Sequence, residues 1–519
     1  MKEEKQLRSR TAYAMQNFAW SMMGTLVKAL LAFASQTVFI YTLGSVYLGV
    51  NGLFTNILGM LSLAELGIGG AISFSLYKPL AEHDTKKIRQ IINFYRSAYR
   101  MVAASVTVVG VAIIPFLNVI IKDADGIEHV RLIYSIYLFN TVTSYLLTYK
   151  TTLLSADQRE YIITNINTVI QVATSVLQIT VLLIYKNFIV YLLIGALVQF
   201  VGKAVQNYAT GRYYPYIREK NNEQLPEADK KIIYTKIKGM MVHKLGDVAI
   251  NQTDSIITSA FVNITSVGLV SNFTLIISFV NSMISSFFSA AVAGLGNIVA
   301  TETPEKRRAI YKKYDYLAFM FYGWSAICLY CLLAPFVTIW IGPQMLVDKA
   351  TIVLLCVNYY FAGLRVPLGN IKSAAGIYEQ DWWCPIVQSV INIVVSVVGA
   401  IMWGLKGVYV GTLVSSLVPN LVRPYMVYKY VFFTSSKEYY QNYVKRVCLI
   451  FLIAVGMELF IQKLPVQNDI IRFIVIFVVA VIMPAAILVF ATKNSEEFAY
   501  VKTMLQKAAV KIKSKVFAK

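Results

Sequence analysis

The sequence predicts an all-α polytopic membrane protein, and three observations indicate this class. Of the 519 residues, 57% are hydrophobic and only 14% are charged, whereas a soluble domain has about 45–50% apolar and about 25% charged residues. Fourteen apolar stretches follow one another along the chain, and the first six resemble the next six. We therefore predict about 14 transmembrane helices, arranged as two parallel six-helix repeats plus a C-terminal helix pair.

Each predicted span is an apolar run separated from the next by a polar break. A helix needs about 20 mostly apolar residues to cross the hydrocarbon core. The spans are 17–43, 48–77, 98–121, 132–154, 161–184, 188–208, 239–262, 267–293, 316–341, 350–373, 382–404, 408–428, 445–462 and 470–491. The first span is too long for a cleavable signal, so we expect it to remain in the protein.

The orientation follows from the distribution of basic residues. With the amino terminus in the cytoplasm, the inside segments and adjoining helix ends hold 36 of the 48 Lys and Arg residues, and the outside loops hold 7. Topology thus explains most of the net charge of +21, and no nucleic acid partner is needed. We predict a multi-pass protein of the bacterial cytoplasmic membrane with both termini cytoplasmic.

Several enzyme classes lack support in the sequence. No Walker loop, dinucleotide fingerprint or nucleophile elbow is present, and the outside loops are too short for an extracytoplasmic domain. Three scattered histidines and five cysteines within apolar stretches do not form a metal pattern. We expect no catalytic residue, no metal and no cofactor. A membrane glycosyltransferase or polymerase would need a large exposed loop.

An internal duplication aligns the two halves at an offset of 219 residues. The matches are 48–50 with 267–269, 54–55 with 273–274, and Lys87, Arg89 and Ile91 with Lys306, Arg308 and Ile310. The predicted domains are an N-terminal six-helix lobe at 1–210, a cytoplasmic linker at 211–238, a C-terminal six-helix lobe at 239–430, helices 13 and 14 at 431–492, and a basic cytoplasmic tail at 493–519. Two such lobes with substrate between them are typical of a transporter that rocks.

Ionisable residues inside the spans are costly in hydrocarbon, so they mark a cavity or a partner. In the seventh span Lys244, Asp247, Asn251 and Asp254 step by three and four residues and share one helix face. The duplication carries Lys28 of the first span onto Asp247. These equivalent polar faces suggest a common aqueous cavity.

Further candidates lie in other spans. Arg365 stands beside Pro367 in the tenth span, and Asn51 and Glu65 lie in the second. Lys203 and Arg423 lie nearer the cytoplasmic side, where contact with lipid headgroups is an equal alternative.

Three segments resemble polysaccharide flippases of the Wzx type. They are 47–54 (Tyr-Leu-Gly-Val-Asn-Gly-Leu-Phe), 65–72 (Glu-Leu-Gly-Ile-Gly-Gly-Ala-Ile) and 76–81 (Leu-Tyr-Lys-Pro-Leu-Ala), and 294–300 resembles the matching turn of the second repeat. The resemblance implies a member of the multidrug/oligosaccharidyl-lipid/polysaccharide exporter (MOP) superfamily. Such proteins move undecaprenyl-pyrophosphate-linked oligosaccharides from the cytoplasmic to the outer leaflet through a cationic cavity.

With this resemblance, two groups of site residues are predicted. The substrate-binding residues of the cavity are Lys28, Arg365, Lys203, Arg423, Lys244 and Asn51. The residues of gating or ion coupling are Asp247, Asp254 and Glu65, because acids are unusual partners for an anionic cargo.

The expected partners are an undecaprenyl-pyrophosphate-linked glycan and membrane lipids, with a polysaccharide polymerase as a candidate, in capsule, exopolysaccharide or O-antigen-like synthesis. Coupling to a Na⁺ or H⁺ gradient stays open. Two alternatives stay open as well: a peptidoglycan-precursor (lipid II) flippase, and a cation-coupled drug antiporter of the same superfamily. The latter usually has twelve helices and an acid-dominated cavity, whereas this chain has more intramembrane cations than acids.

Overall fold

A computed structural model describes residues 2–62, 68–122, 127–218, 224–290, 292–465, 468–503 and 506. Contacts divide the chain into two units, Met1–Ser271 and Asn272–Lys519. The helices of the first part of the chain are α1 (Lys2–Leu61), α2 (Ile68–Ala81), α3 (Thr85–Ile113), α4 (Leu117–Ile120), α5 (Val130–Thr148), α6 (Thr151–Ala156), α7 (Glu160–Tyr185), α8 (Phe188–Tyr213) and α9 (Glu227–Ile257). Those that follow are α10 (Ile264–Ala290), α11 (Val292–Thr301), α12 (Pro304–Ile341), α13 (Lys349–Leu364), α14 (Val366–Ala375), α15 (Trp383–Trp403), α16 (Leu405–Tyr430), α17 (Lys437–Gln462) and α18 (Asp469–Thr492).

This architecture confirms the predicted all-α polytopic membrane fold. Ten helical stretches among the described residues are long and apolar enough to cross a membrane. The described residues of the other predicted spans are also helical, but α2 has only 14 residues, α5 is rich in hydroxyl side chains, and α9 and α17 carry several charges. In lipid a backbone must satisfy its own polar groups, which is why long apolar segments become helices.

The helix boundaries repeat at the predicted offset of 219. Helix α1 breaks at Gly44, whose φ of 83° is not helical, and the equivalent Asn263 is extended between α9 and α10. Helices α3 and α12 begin at the equivalent residues Thr85 and Pro304, and α5 and α13 begin at Val130 and Lys349. The duplication seen in the sequence is therefore also a duplication of local structure.

The lobe boundaries remain a prediction. The division of the chain by contacts differs from them in one segment. Residues 239–271, assigned above to the C-terminal lobe, belong with the first unit. Within that unit the second segment of α1 meets the beginning of α10 at Gly49 and Gly268.

In the second unit, α15 and α16 form a tight helical hairpin. Gly404 connects them with a φ of 66°, and Gly399 and Gly407 let the two backbones approach closely. The Ser396 hydroxyl donates to the Val408 carbonyl at 3.0 Å. Small residues and hydroxyls at this interface are the usual means by which helices associate in lipid.

Helix α17 is attached to α12 by charged groups. Arg446 forms an ion pair with Asp315, whose side chain is 7% exposed, and the guanidinium lies 5.0 Å from the centre of the Phe319 ring. Nearer the start of α17, Glu438 binds Arg308 and Lys312. Buried and half-buried ion pairs thus anchor α17 to α12 within the second unit.

Candidate functional site

The predicted site residues of the first unit differ in their surroundings. Lys28 lies half-buried on α1, in the segment before Gly44. Lys203 on α8 and Asp254 on α9 are also half-buried, and both interact with other groups of the protein. These three charged side chains are therefore partly shielded from their surroundings, as intramembrane charges are expected to be.

Asn51 is fixed by a contact inside the first unit. The Tyr137 hydroxyl of α5 donates a hydrogen bond to Asn51 Oδ1. Phe54, one helical turn further, packs its ring against Tyr134 and Tyr137 at centroid distances of 5.2 and 5.8 Å. Asn51 therefore connects α1 to α5, a contact that its helical position alone did not predict.

Part of the predicted site lies outside the described residues. Glu65 falls in the undescribed segment 63–67, and the side chains of Lys244, Asp247 and Asn251 are likewise outside the described set. The backbone from Glu227 to Ile257 is one continuous helix. The spacing of three and four residues from position 244 to position 254 therefore places these positions along one helical face.

In the second unit a buried carboxylate gathers two cations. Asp381, only 1% exposed, forms an ion pair with Lys372 of α14, which is 7% exposed. Arg423 of α16 places its Nε 3.8 Å from Asp381 Oδ2 and is 20% exposed. The Lys372 ammonium lies 5.4 Å from the centre of the Tyr378 ring. Buried charges need such partners, because an unpaired ion loses its hydration.

Arg365 lies next to this cluster, between α13 and α14. It is half-buried and within electrostatic reach of the Cys384 thiol and the Tyr443 hydroxyl. Cys384 also interacts electrostatically with Lys372, Asp381 and Arg423. The structure thus brings the predicted residues Arg365 and Arg423 to one region of the second unit, together with Lys372.

Asp381 was not among the predicted site residues. It lies in the connection between α14 and α15, outside the predicted spans 350–373 and 382–404, so a helical pattern could not reveal it. The available signal was the intramembrane Lys372, which requires a counter-ion. Among the described residues, two cationic side chains, Lys372 and Arg423, pair with the single Asp381 carboxylate. The region is therefore positively charged and can attract an anionic group.

A second polar region surrounds Glu438 at the beginning of α17. The hydrogen bond from Lys312 holds the pKa of the Glu438 carboxyl below its usual value, with Arg308 adding to the effect. A neighbouring pocket of about 420 Å³ is lined by both signs of charge, including Glu305, Lys313 and Glu497. Because these charges balance, this region has no clear preference for an anion.

No protein-family model matches the sequence, and no characterised protein matches it significantly. Solved structures do show the same fold. The lipid II flippase MurJ in an inward closed conformation aligns with a TM-score of 0.62 at 12% identity, covering 91% of this chain and 98% of that one.

Drug transporters of the MATE family align as well. An inward-facing multidrug resistance MATE transporter of the MOP superfamily gives a TM-score of 0.58 at 14% identity, over 76% of this chain and 92% of that one. A variant of a Vibrio cholerae MATE transporter gives 0.53 at 14% identity, over 80% and 97%. The chain therefore has the fold that the MATE transporters and MurJ share.

Proposed function

We propose that this protein is a flippase for undecaprenyl-pyrophosphate-linked oligosaccharides. It would carry repeat units from the cytoplasmic to the outer leaflet by alternating access, for capsule, exopolysaccharide or O-antigen-like polymers. A pyrophosphate and its sugars cannot cross hydrocarbon unaided, because their polar groups would lose hydration. Lysine and arginine side chains in a cavity replace part of that hydration.

One observation favours a flippase over the other transporters that have this fold. The alignment with MurJ, whose name states a lipid-linked substrate, extends over 91% of this chain, whereas the alignments with the two MATE transporters extend over 76% and 80%. The excess of cations around Asp381 agrees with an anionic cargo. The Wzx-like segments at 47–54 and 76–81 favour an oligosaccharide repeat unit as the headgroup.

The same alignment supports a second candidate, a lipid II flippase. Both functions require a cavity that accepts a pyrophosphate on a polyprenyl carrier, and they differ in the sugar headgroup. Complementation separates them: a strain depleted of its own lipid II flippase would grow with this chain only if it carries the peptidoglycan precursor.

The transport proposal is tested in vesicles. The purified protein is reconstituted with a labelled undecaprenyl-pyrophosphate oligosaccharide, and the accessible fraction in the outer leaflet is measured with and without a Na⁺ or H⁺ gradient. Faster equilibration than in protein-free vesicles is the expected result. Transport of cationic drugs without movement of the lipid-linked sugar would favour the antiporter instead.

Two variants connect the proposed function to the site. Arg365→Ala and Lys28→Ala should abolish transport while the protein stays in the membrane. Arg365→Lys should rescue only partly, because lysine lacks the planar group that binds two phosphate oxygens at once. Normal transport by well-expressed alanine variants would remove both residues from the site.

A further inference from the structure

Two buried glycines bring helix backbones into direct contact within the first unit. A Cβ built on Gly49 of α1 would lie 2.1 Å from the Ile264 carbonyl oxygen of α10. A Cβ built on Gly268 would lie 2.0 Å from the Ser45 carbonyl oxygen. Only glycine fits at either position, and each Cα lies close to a carbonyl of the other helix, where Cα–H···O contacts form.

These two contacts are images of each other under the internal duplication. The offset of 219 carries Ser45 to Ile264 and Gly49 to Gly268. The glycines Gly49 and Gly268 are therefore equivalent positions of the two repeats, and so are Ser45 and Ile264, which supply the carbonyl oxygens. This reciprocal pattern is that of a two-fold contact, in which the same surface is used on both sides.

The neighbouring contacts join α1 and α4 to α9 and the residues that follow it, and most of them involve uncharged groups; the exception is Lys122, whose ammonium donates to the Phe261 carbonyl at 3.4 Å. Asn56 Nδ2 donates to Ser255 Oγ at 2.7 Å, and Gly59 leaves 3.2 Å between its Cβ position and the Gln252 amide. The Ser259 hydroxyl donates to the Ile120 carbonyl at 2.8 Å. Contacts of this kind are individually weak, so they can break and re-form during a transport cycle.

We propose that Ser45, Gly49, Ile264 and Gly268 form a glycine clasp that closes the predicted outside end of the transport path. The connections at 44–47 and 263–266 are outside loops in the predicted topology. The clasp would have to separate for cargo to leave toward the outer leaflet. This inference rests on the proposed function, and it adds the element that controls release.

The clasp is tested by locking it. Ser45→Cys and Ile264→Cys are introduced after the five native cysteines are replaced, and a short methanethiosulfonate cross-linker joins the pair. Transport by the reconstituted protein should cease when the link forms and return when a reductant cleaves it. Each single-cysteine protein treated in the same way is the control.

Alanine variants test why glycine is used. Gly49→Ala combined with Gly268→Ala should reduce the rate of that cross-link about five- to thirtyfold, because each added Cβ would collide with a backbone carbonyl and hold the two helices apart. Gly456→Ala on α17 is the matched control, since its Cβ position has no neighbour within 4 Å among the described residues. If the double alanine variant does not reach the membrane, the locking experiment on the native glycines still decides.

Two results would overturn the clasp. One is unchanged transport by fully cross-linked protein, and the other is equally fast cross-linking in the double alanine variant. The proposed function fails by a different result, the absence of lipid-linked oligosaccharide transport by the uncross-linked protein. If that protein transports drug cations instead, the effect of the cross-link is measured on drug transport.

Discussion

At the scale of single residues, the second unit contains a cluster of buried charges whose removal should change the stability of the protein. Asp381 neutralises Lys372 and lies near Arg423, and all three side chains are at most 20% exposed. Removing one partner of a buried ion pair leaves the other charge without compensation. Replacing the pair by apolar groups is often neutral, because both desolvation costs disappear together.

Asp381→Asn should therefore destabilise the protein by about 3–5 kcal/mol, the usual cost of breaking a buried pair. Thermal unfolding in detergent measures the effect. Glu379→Gln, two residues earlier and exposed, is the matched control. The double variant Lys372→Met with Asp381→Leu should lose less than the sum of its single changes. Additive losses would show that the two side chains do not depend on each other.

The lowered pKa of the Glu438 carboxyl predicts that the stability of the folded protein depends on pH, and it gives the direction of that dependence. Lys312 and Arg308 favour the carboxylate in the folded protein. Their stabilisation is present above the ordinary carboxyl pKa and is lost as the pH falls through the lowered folded value. Because the carboxylate is 44% exposed, solvent screening keeps the effect small.

The measurement is the unfolding temperature as a function of pH. Wild-type protein should lose stability on acidification below about pH 4.5 more steeply than Glu438→Gln, while Glu379→Gln should follow the wild type. Parallel curves for Glu438→Gln and wild type would mean that the two ion pairs contribute nothing to the pH dependence.

At the scale of elements, the break at Gly44 separates two helices that carry different parts of the candidate site. Lys28 lies before it, and Asn51 with its Tyr137 contact lies after it. The φ of 83° is a backbone conformation that residues with a side chain rarely adopt. The equivalent Asn263 makes its break with an extended backbone instead.

Gly44→Ala should accordingly cost about 1–3 kcal/mol, the usual strain of such a backbone conformation. Gly24→Ala, in the helical part of α1 with no described neighbour within 4 Å of its Cβ position, should instead stabilise by about 0.5–1 kcal/mol. Opposite shifts in melting temperature are expected from the same chemical change. Shifts of the same sign would argue against a broken helix at Gly44.

At the scale of the whole molecule, the predicted topology places both termini and most of the basic residues on the cytoplasmic side of the membrane. In a cysteine-free background, a cysteine at Ser45 or Thr265 should react with a membrane-impermeant maleimide in intact cells. Tags at both termini should be protected from the same reagent. Labelling of the terminal tags would reverse the orientation and would place the glycine clasp on the cytoplasmic side.

The helices and their duplication could be predicted from the amino-acid sequence. Apolar length is a local property, and in lipid it leads to a helix whatever the neighbours are. The offset of 219 predicted equivalences that recur as helix boundaries, including Thr85 with Pro304. The same locality placed positions 244–254 on one continuous helix.

Which charged and polar groups meet depends on how the helices pack, and this could not be predicted from the sequence. Periodicity shows which residues share a helix face, but it does not say which face another helix covers. Asp381, in a connection without helical periodicity, is 42 positions from Arg423, and the packing of α14 and α16 brings them together. Asn51 accepts a hydrogen bond from Tyr137, and Gly49 lies against the Ile264 carbonyl. Both contacts depend on the packing of helices that are far apart in sequence.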